Sequence, residues 1–367
     1  MIFKEQTGYF QPVSLLDNFV VFQYLTKLEL KYHMATSNAL ARIVGQCCKA
    51  HRVDARYVIA EVRGDVVVTS DAELAKTLRR TLKNKAVSGV RVQVLPLGAL
   101  RRTPVGIIGV GAAPLRSAPA DGAEMVSEVV LGESLRILEN SGAWLRVAGP
   151  DGYIGWADGP QVLLCGKKDA AQWSPEAPYV VRRVMANIHQ SPRPDSPVLQ
   201  RVSAGSSLVQ TGKRSGWIRV RTPMSGDGWL QDVDEFPVGR MPLRRAIVKA
   251  TEQFLGVPYR WGGTSGFGID CSGLVQRIFG LYGIQLPRDA GMQATAGISI
   301  GLDRQQWKPG DLLFFGQSRV THVAIYTGRG RVIHAKGYVT RAGMLTGNPL
   351  YNRKLAEQIL EVRSVIS

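Results

Sequence analysis

The chain is 367 residues long, and at roughly 150 residues per domain that implies two to three domains with room for a substantial core. A hydrophobic share of 45% beside 20% charged residues excludes a disordered or fibrous chain, and four cysteines exclude a disulfide-dense scaffold. The net charge of +17 predicts attraction to polyanions, but with no long Lys/Arg block and no basic–aromatic reader motif it argues against a specific nucleic-acid partner. What remains is a solvated basic surface, or adhesion to anionic wall polymers or a membrane.

At the start of the chain, Phe19-Val20-Val21-Phe22 is too short to span a membrane, and neither a transmembrane segment nor a secretion signal is evident. That favours a cytoplasmic location, with the cell envelope or the exterior as the alternative. Residues 1–33 read as an extension ahead of a natural start at Met34. Residues 38–97 read as helix, strand, strand, helix, strand. The helix from Ala72 to Leu82 has Asp71 near its start, and Arg63-Gly64 turns a hairpin between two β-branched runs. This order weakly resembles a BON-type module, and the whole N-terminal α+β module is expected over 1–100.

The middle of the chain repeats itself. Gly132, Leu135, Trp144 and Trp156 recur 73 residues later as Gly205, Leu208, Trp217 and Trp229. Short alternating strands and Gly-rich turns predict two small β-barrels, over 101–169 and 170–238, with the tryptophans as core. The pattern is similar to bacterial SH3-like domains. Cys165, just past the first copy, reads as a small hydrophobe.

After the linker Phe236–Pro242 the character changes, and residues 239–367 read as one domain opening with a helix over Leu243–Phe254. Cys271 follows Asp270 at the first turn of a helix whose apolar positions are Leu274, Val275, Ile278, Phe279 and Tyr282, with Gly283 as its cap. A helix N-terminus favours the thiolate and offers free N–H groups where an oxyanion would develop. Two strands follow, His322–Tyr326 and Arg331–Ala335, joined by Thr327–Gly330. A tight hairpin there puts His322 and His334 opposite or nearly opposite, with Cβ atoms about 5 Å apart. One imidazole can then take the thiol proton while the other fixes its tautomer. Zinc is the competing reading, weakened by the lack of a fourth ligand at usual spacing.

Tyr259-x-Trp261-Gly262-Gly263, Asp270-Cys271-Ser272-Gly273, Leu286-Pro287-Arg288, Gly310-Asp311-Leu312, His322-Val323-Ala324-Ile325-Tyr326 and Ile333-His334-Ala335 occur in that order. Together they resemble the NlpC-type cysteine peptidases, a papain-like family of cell-wall hydrolases. The resemblance implies Cys271 as nucleophile, His322 as general base, His334 as the orienting third residue and Tyr259 near the oxyanion. It implies no metal or organic cofactor. With two SH3-like domains ahead, the chain looks most like the γ-D-glutamyl-L-diamino acid endopeptidases, in which the first barrel walls off the cleft so that stem peptides with a free N-terminal L-Ala fit. Asp270, with Glu124 and Tyr153 of the first barrel, is expected to meet that ammonium. Ser272 and Arg288 would meet substrate carboxylates, and Asp289 backbone amides or the far amine. The fold class expected is thus multidomain α+β, and the partners are peptidoglycan stem peptides or muropeptides. Two alternatives stay open: an acyl or amide transferase using the same thiol, and a wall-binding protein with a dormant site. Family members often carry a hydroxyl residue after the Pro-Arg pair where this chain has Asp289-Ala290, so the diamino-acid preference does not carry over.

Overall fold

The computed structural model describes residues 38–173 and 178–366. The expected extension over 1–33 and the start at Met34 lie outside the described residues. The chain divides into two compact units between Leu95 and Pro96.

In the first unit a helix over 38–50 (α1) precedes β1 (Ala60–Arg63), β2 (Val66–Thr69), α2 (Ala72–Asn84) and β3 (Arg91–Val94). Gly64, at φ 61°, allows the tight turn that sets Ala60 opposite Thr69, and β3 joins β2 in parallel after the α2 crossover. Asp71 caps α2 by accepting the Leu74 N–H at 2.6 Å. One stripe of α2 (Leu74, Leu78, Leu82) buries against Leu40, Val44 and Val67, giving the unit a core of its own.

The second unit begins with seven strands, β4 (Val105–Ile108), β5 (Ala112–Arg116), β6 (Met125–Val130), β7 (Ser134–Ser141), β8 (Trp144–Ala148), β9 (Ile154–Asp158) and β10 (Val162–Cys165). They form one sheet in the order β10-β4-β7-β8-β9-β5-β6. A short helix, α3 (Lys167–Ala171), leads to β11 (Tyr179–Val180), β12 (Met185–His189), β13 (Val198–Ser203), β14 (Ser207–Arg214), β15 (Trp217–Thr222) and β16 (Gly226–Gln231), ordered β11-β14-β15-β16-β12-β13. The 73-residue offset is structural as well: Ala113 faces Val129 in the first sheet, and Ala186 faces Val202 in the second. Both sheets are open. Among the described residues the end strands of each order do not pair with one another, so closed barrels do not form.

The tryptophans depart from expectation. Trp217 is buried, but Trp144, Trp156 and Trp229 are partly exposed, and the cores are filled by aliphatic residues such as Leu135, Ile137 and Val147, or Leu208, Ile218 and Val220. Cys165 packs with Ile107 and Ala170, as a small apolar group would. The sheets touch where the Ser207 N–H donates to the Leu131 carbonyl at 2.9 Å. Gly132, at φ 79°, lies so close there that a β-carbon would sit 1.6 Å from the Ser207 carbonyl oxygen.

The remainder packs helices α4 (Leu243–Gln253), α5 (Cys271–Leu281) and α6 (Ala290–Gln293) with a small ribbon, β17 (Thr264–Ser265) and β18 (Gly268–Ile269). A six-stranded sheet completes it: β19 (Ile298–Ser299), β20 (Leu312–Gly316), β21 (Val320–Gly328), β22 (Arg331–Lys336), β23 (Tyr338–Gly343) and β24 (Ile359–Ser364), ordered β19-β24-β20-β21-β22-β23. Leu274, Val275, Ile278 and Phe279 on α5 share one core with Phe314, Val323 and Ile325 of the sheet and Phe254 after α4. That packing fixes the N-terminus of α5 against β21. Gly283, at φ 81°, lets the chain leave the helix.

Candidate active site

Helix α5 starts at Cys271 because Asp270 caps it, accepting the Gly273 N–H at 2.7 Å. Cys271 is 8% exposed, and its sulfur is approached by the backbone N–H groups of Val323 and Ser272. It therefore lies against β21 one residue from His322. Across the β21/β22 hairpin, His322 Nε2 and His334 Nδ1 are 2.8 Å apart. That contact commits Nε2 of His322 to its partner and leaves Nδ1 as the nitrogen available for the thiol proton. Among the described residues no hydrogen bond joins the sulfur to either imidazole.

Ile325 faces Ile333, so the two histidines meet diagonally rather than as a directly opposed pair. Phe315, the cross-strand neighbour of His322 on β20, packs its ring 5.8 Å from the imidazole and supports it from the other side.

The electrostatics also differ from those a helix N-terminus alone suggests. Burial, with Asp270 adding to it, pushes the Cys271 thiol up to about 11 despite the two N–H groups and Arg288. Burial pulls His322 down to about 3, helped by His334 and Lys336, and pulls His334 down to about 4, helped by Lys336. The resting site is thus a neutral thiol beside neutral imidazoles, in place of the preformed thiolate expected. Tyr259 is half-buried, and its hydroxyl is pushed up to about 12 by burial first and by Cys271 and Asp270 next. It remains a proton donor close to the sulfur.

Asp270 and Arg288 form a bidentate ion pair in the cleft. Arg288 is 2% exposed and straddles the carboxylate, with Nη1 on Oδ1 at 3.0 Å and Nη2 on Oδ2. The same guanidinium reaches Ser272 Oγ at 2.9 Å and, from the first sheet, Ser127 Oγ at 3.2 Å. Asp270 also accepts Gly262 N–H and Ser272 Oγ–H. Four of the five Arg288 N–H groups are thus engaged inside the protein, on Asp270, Ser272 and Ser127. Ser272 is likewise drawn into this network. Asp289 is half-buried at the start of α6, where its carbonyl accepts the Met292 and Gln293 N–H groups.

Of the two residues expected from the first sheet, Glu124 reaches across to the cleft, where its carboxylate accepts the Trp261 Nε1–H at 2.8 Å. Trp261 is 62% exposed. Tyr153 is buried in the turn between β8 and β9; that turn meets α5 through Asp151, which accepts from Gln276 at 2.9 Å. The sequence reading missed Ser127 and Glu128. The Glu128 side chain is fully buried between the sheets, accepting the Thr264 N–H at 3.1 Å and Arg260 Nη1 at 3.1 Å. Burial raises its pKa above the ordinary carboxylate value against those hydrogen bonds. The available signal was a polar pair, Ser127-Glu128, inside an otherwise apolar strand.

Comparison with known proteins supplies the rest. The model of the NlpC/P60 family matches residues 256–363, and that of the bacterial dipeptidyl-peptidase Sh3 domain matches 115–159. The chain is 31% identical over 222 residues to a gamma-D-glutamyl-L-lysine dipeptidyl-peptidase of Bacillus subtilis, covering 57% of this chain and 71% of that one. It is 30% identical over 260 residues to dipeptidyl-peptidase 6 of Lysinibacillus sphaericus, covering 66% and 93%. Its fold is similar to the crystal structure of an NlpC/P60 family protein from Bacillus cereus, with a TM-score of 0.61 at 24% identity, over 72% of this chain and all of that one.

Proposed function

Since this chain belongs to the NlpC/P60 family, we propose that it is a cysteine endopeptidase hydrolysing the bond between γ-D-glutamate and a diamino acid in peptidoglycan stem peptides. The observation that carries the reading is the 2.8 Å contact between His322 Nε2 and His334 Nδ1 beside a thiol at a helix start. In this reading His322 Nδ1 takes the Cys271 proton as the sulfur attacks the γ-carbonyl carbon. His334 holds the His322 ring in place and shares the charge it acquires. The backbone N–H groups of Cys271 and Ser272 have no carbonyl acceptor within α5, and together with the Tyr259 hydroxyl they suit the developing oxyanion. His322 then protonates the leaving amine, a thioester remains on Cys271, and water assisted by the same imidazole releases L-Ala-D-Glu.

A preference for stems with a free N-terminal L-Ala is supported by the first sheet, whose Glu124 and Ser127 stand at the cleft beside Trp261 and Arg288. An exposed carboxylate beside Trp261 suits an ammonium and disfavours an acyl cap. With this goes the division into an N-terminal module to about residue 100, two SH3-like domains over 101–169 and 170–238, and the peptidase domain over 239–367. The test is incubation of L-Ala-γ-D-Glu-meso-diaminopimelate, free or N-acetylated, with the protein and with Cys271→Ala. Release of L-Ala-D-Glu from the free peptide by the wild type alone is expected. Equal release by both proteins, or equal cleavage of both peptides, contradicts the mechanism or the preference respectively.

A further inference from the structure

Side chains alternate along β22, so His334 and Lys336 share a face of the strand. The β21/β22 pairing ends at Ile325 and Ile333, and beyond it His334 meets His322 while Lys336 follows two residues on along β22. The turn beyond Lys336 is anchored: the Tyr259 N–H donates to the Gly337 carbonyl at 2.8 Å, and Val257 and Val339 bond through the Val339 N–H at 2.8 Å. The base of this lysine is therefore fixed beside the cleft, while its side chain is exposed and forms no ion pair among the described residues. Its charge acts on both imidazoles, whereas that of Asp270 acts on His322 alone. The dyad is flanked by two unlike regions: Asp270, Arg288 and the first sheet on the thiol side, and a free cation on the other.

In the hydrolytic reading above, on which this step rests, His322 protonates the leaving amine, so the released amino acid occupies the imidazole side. We propose that Lys336 is a specificity-determining residue that pairs with a free carboxylate on the released diamino acid. Two carboxylates offer that chemistry. One is the α-carboxylate of a peptide that ends at the diamino acid; the other is the side-chain carboxylate that meso-diaminopimelate has and lysine lacks.

The test uses the full chain and four peptides: L-Ala-γ-D-Glu joined to L-Lys or to meso-diaminopimelate, each as the C-terminal α-acid or α-amide. Exposed ion pairs of this kind are weak, so the wild type should prefer carboxylate-bearing peptides over L-Lys amide by roughly two- to fivefold in kcat/KM. The ratio should fall toward one in Lys336→Gln, persist in Lys336→Arg, and shrink with added salt. A gain from acid over amide within the L-Lys pair assigns the α-carboxylate, and a gain from diaminopimelate amide over L-Lys amide assigns the side chain. A lysine that acted only through the imidazoles would shift the acid limb for all four peptides alike and leave the ratios unchanged. Unchanged ratios in Lys336→Gln, or a wild type without preference, overturn the proposal while leaving the hydrolytic reading intact. No cleavage of any peptide overturns that reading, and this inference with it.

Discussion

At Cys271 and the histidines, the burial that aligns the groups also keeps them uncharged. In the proposed mechanism, proton transfer from sulfur to His322 then accompanies attack on the substrate rather than preceding it. Cys271→Ala should lower peptide release by more than about a thousandfold, and His334→Ala by roughly a hundredfold with little change in KM, measured by steady-state kinetics. Because both rings stay neutral down to about pH 4, the acid limb of kcat/KM should lie well below the ~6.5 of a free imidazole. The same depression links acid to stability. Between about pH 6.5 and 4 the unfolded chain binds protons that the folded one refuses, so stability falls as pH falls through that window. Thermal midpoints measured across it should drop, and drop less in His334→Asn. The identities of these residues were legible in the sequence, since a Cys at a helix start and two His on joined strands form a local pattern. Their charge state was not, because it depends on how deeply the folded chain buries them.

At the scale of elements, the docking of β6 onto α5 and β17 depends on a few polar groups. Arg288 spans Asp270, Ser272 and Ser127, and its loss would leave a buried carboxylate with backbone donors and one hydroxyl. Arg288→Ala should destabilise the fold by about 3–5 kcal/mol in denaturant unfolding. Lys at that position should rescue little, because one ammonium cannot replace a bidentate fork. Glu128 separates two effects: Glu128→Gln keeps an acceptor for the Thr264 N–H and removes a charge that burial disfavours, so it should be near neutral. Glu128→Ala orphans that N–H and should cost about 1–3 kcal/mol. The strands were readable from alternation and the 73-residue repeat. The partners of Ser127 and Glu128 were not, since a residue more than 130 positions away leaves no local trace.

At the scale of the whole molecule, every group of the site belongs to the unit beginning at Pro96. A chain starting there should retain the kcat/KM of the full protein on small stem peptides, which a side-by-side rate comparison would check. The two repeated sheets are not equivalent in this unit. Glu124, Ser127 and Glu128 of the first correspond, 73 residues on, to Pro197, Gln200 and Arg201 of the second. Gln200 donates to the Gly109 carbonyl at 2.8 Å, and so spends its side chain on its sister copy. The duplicate halves have thus diverged beyond exchange: a transposed gene would set Arg201 against Arg260 and offer proline where the tryptophan needs an acceptor, so that selection on either copy now runs under a different constraint.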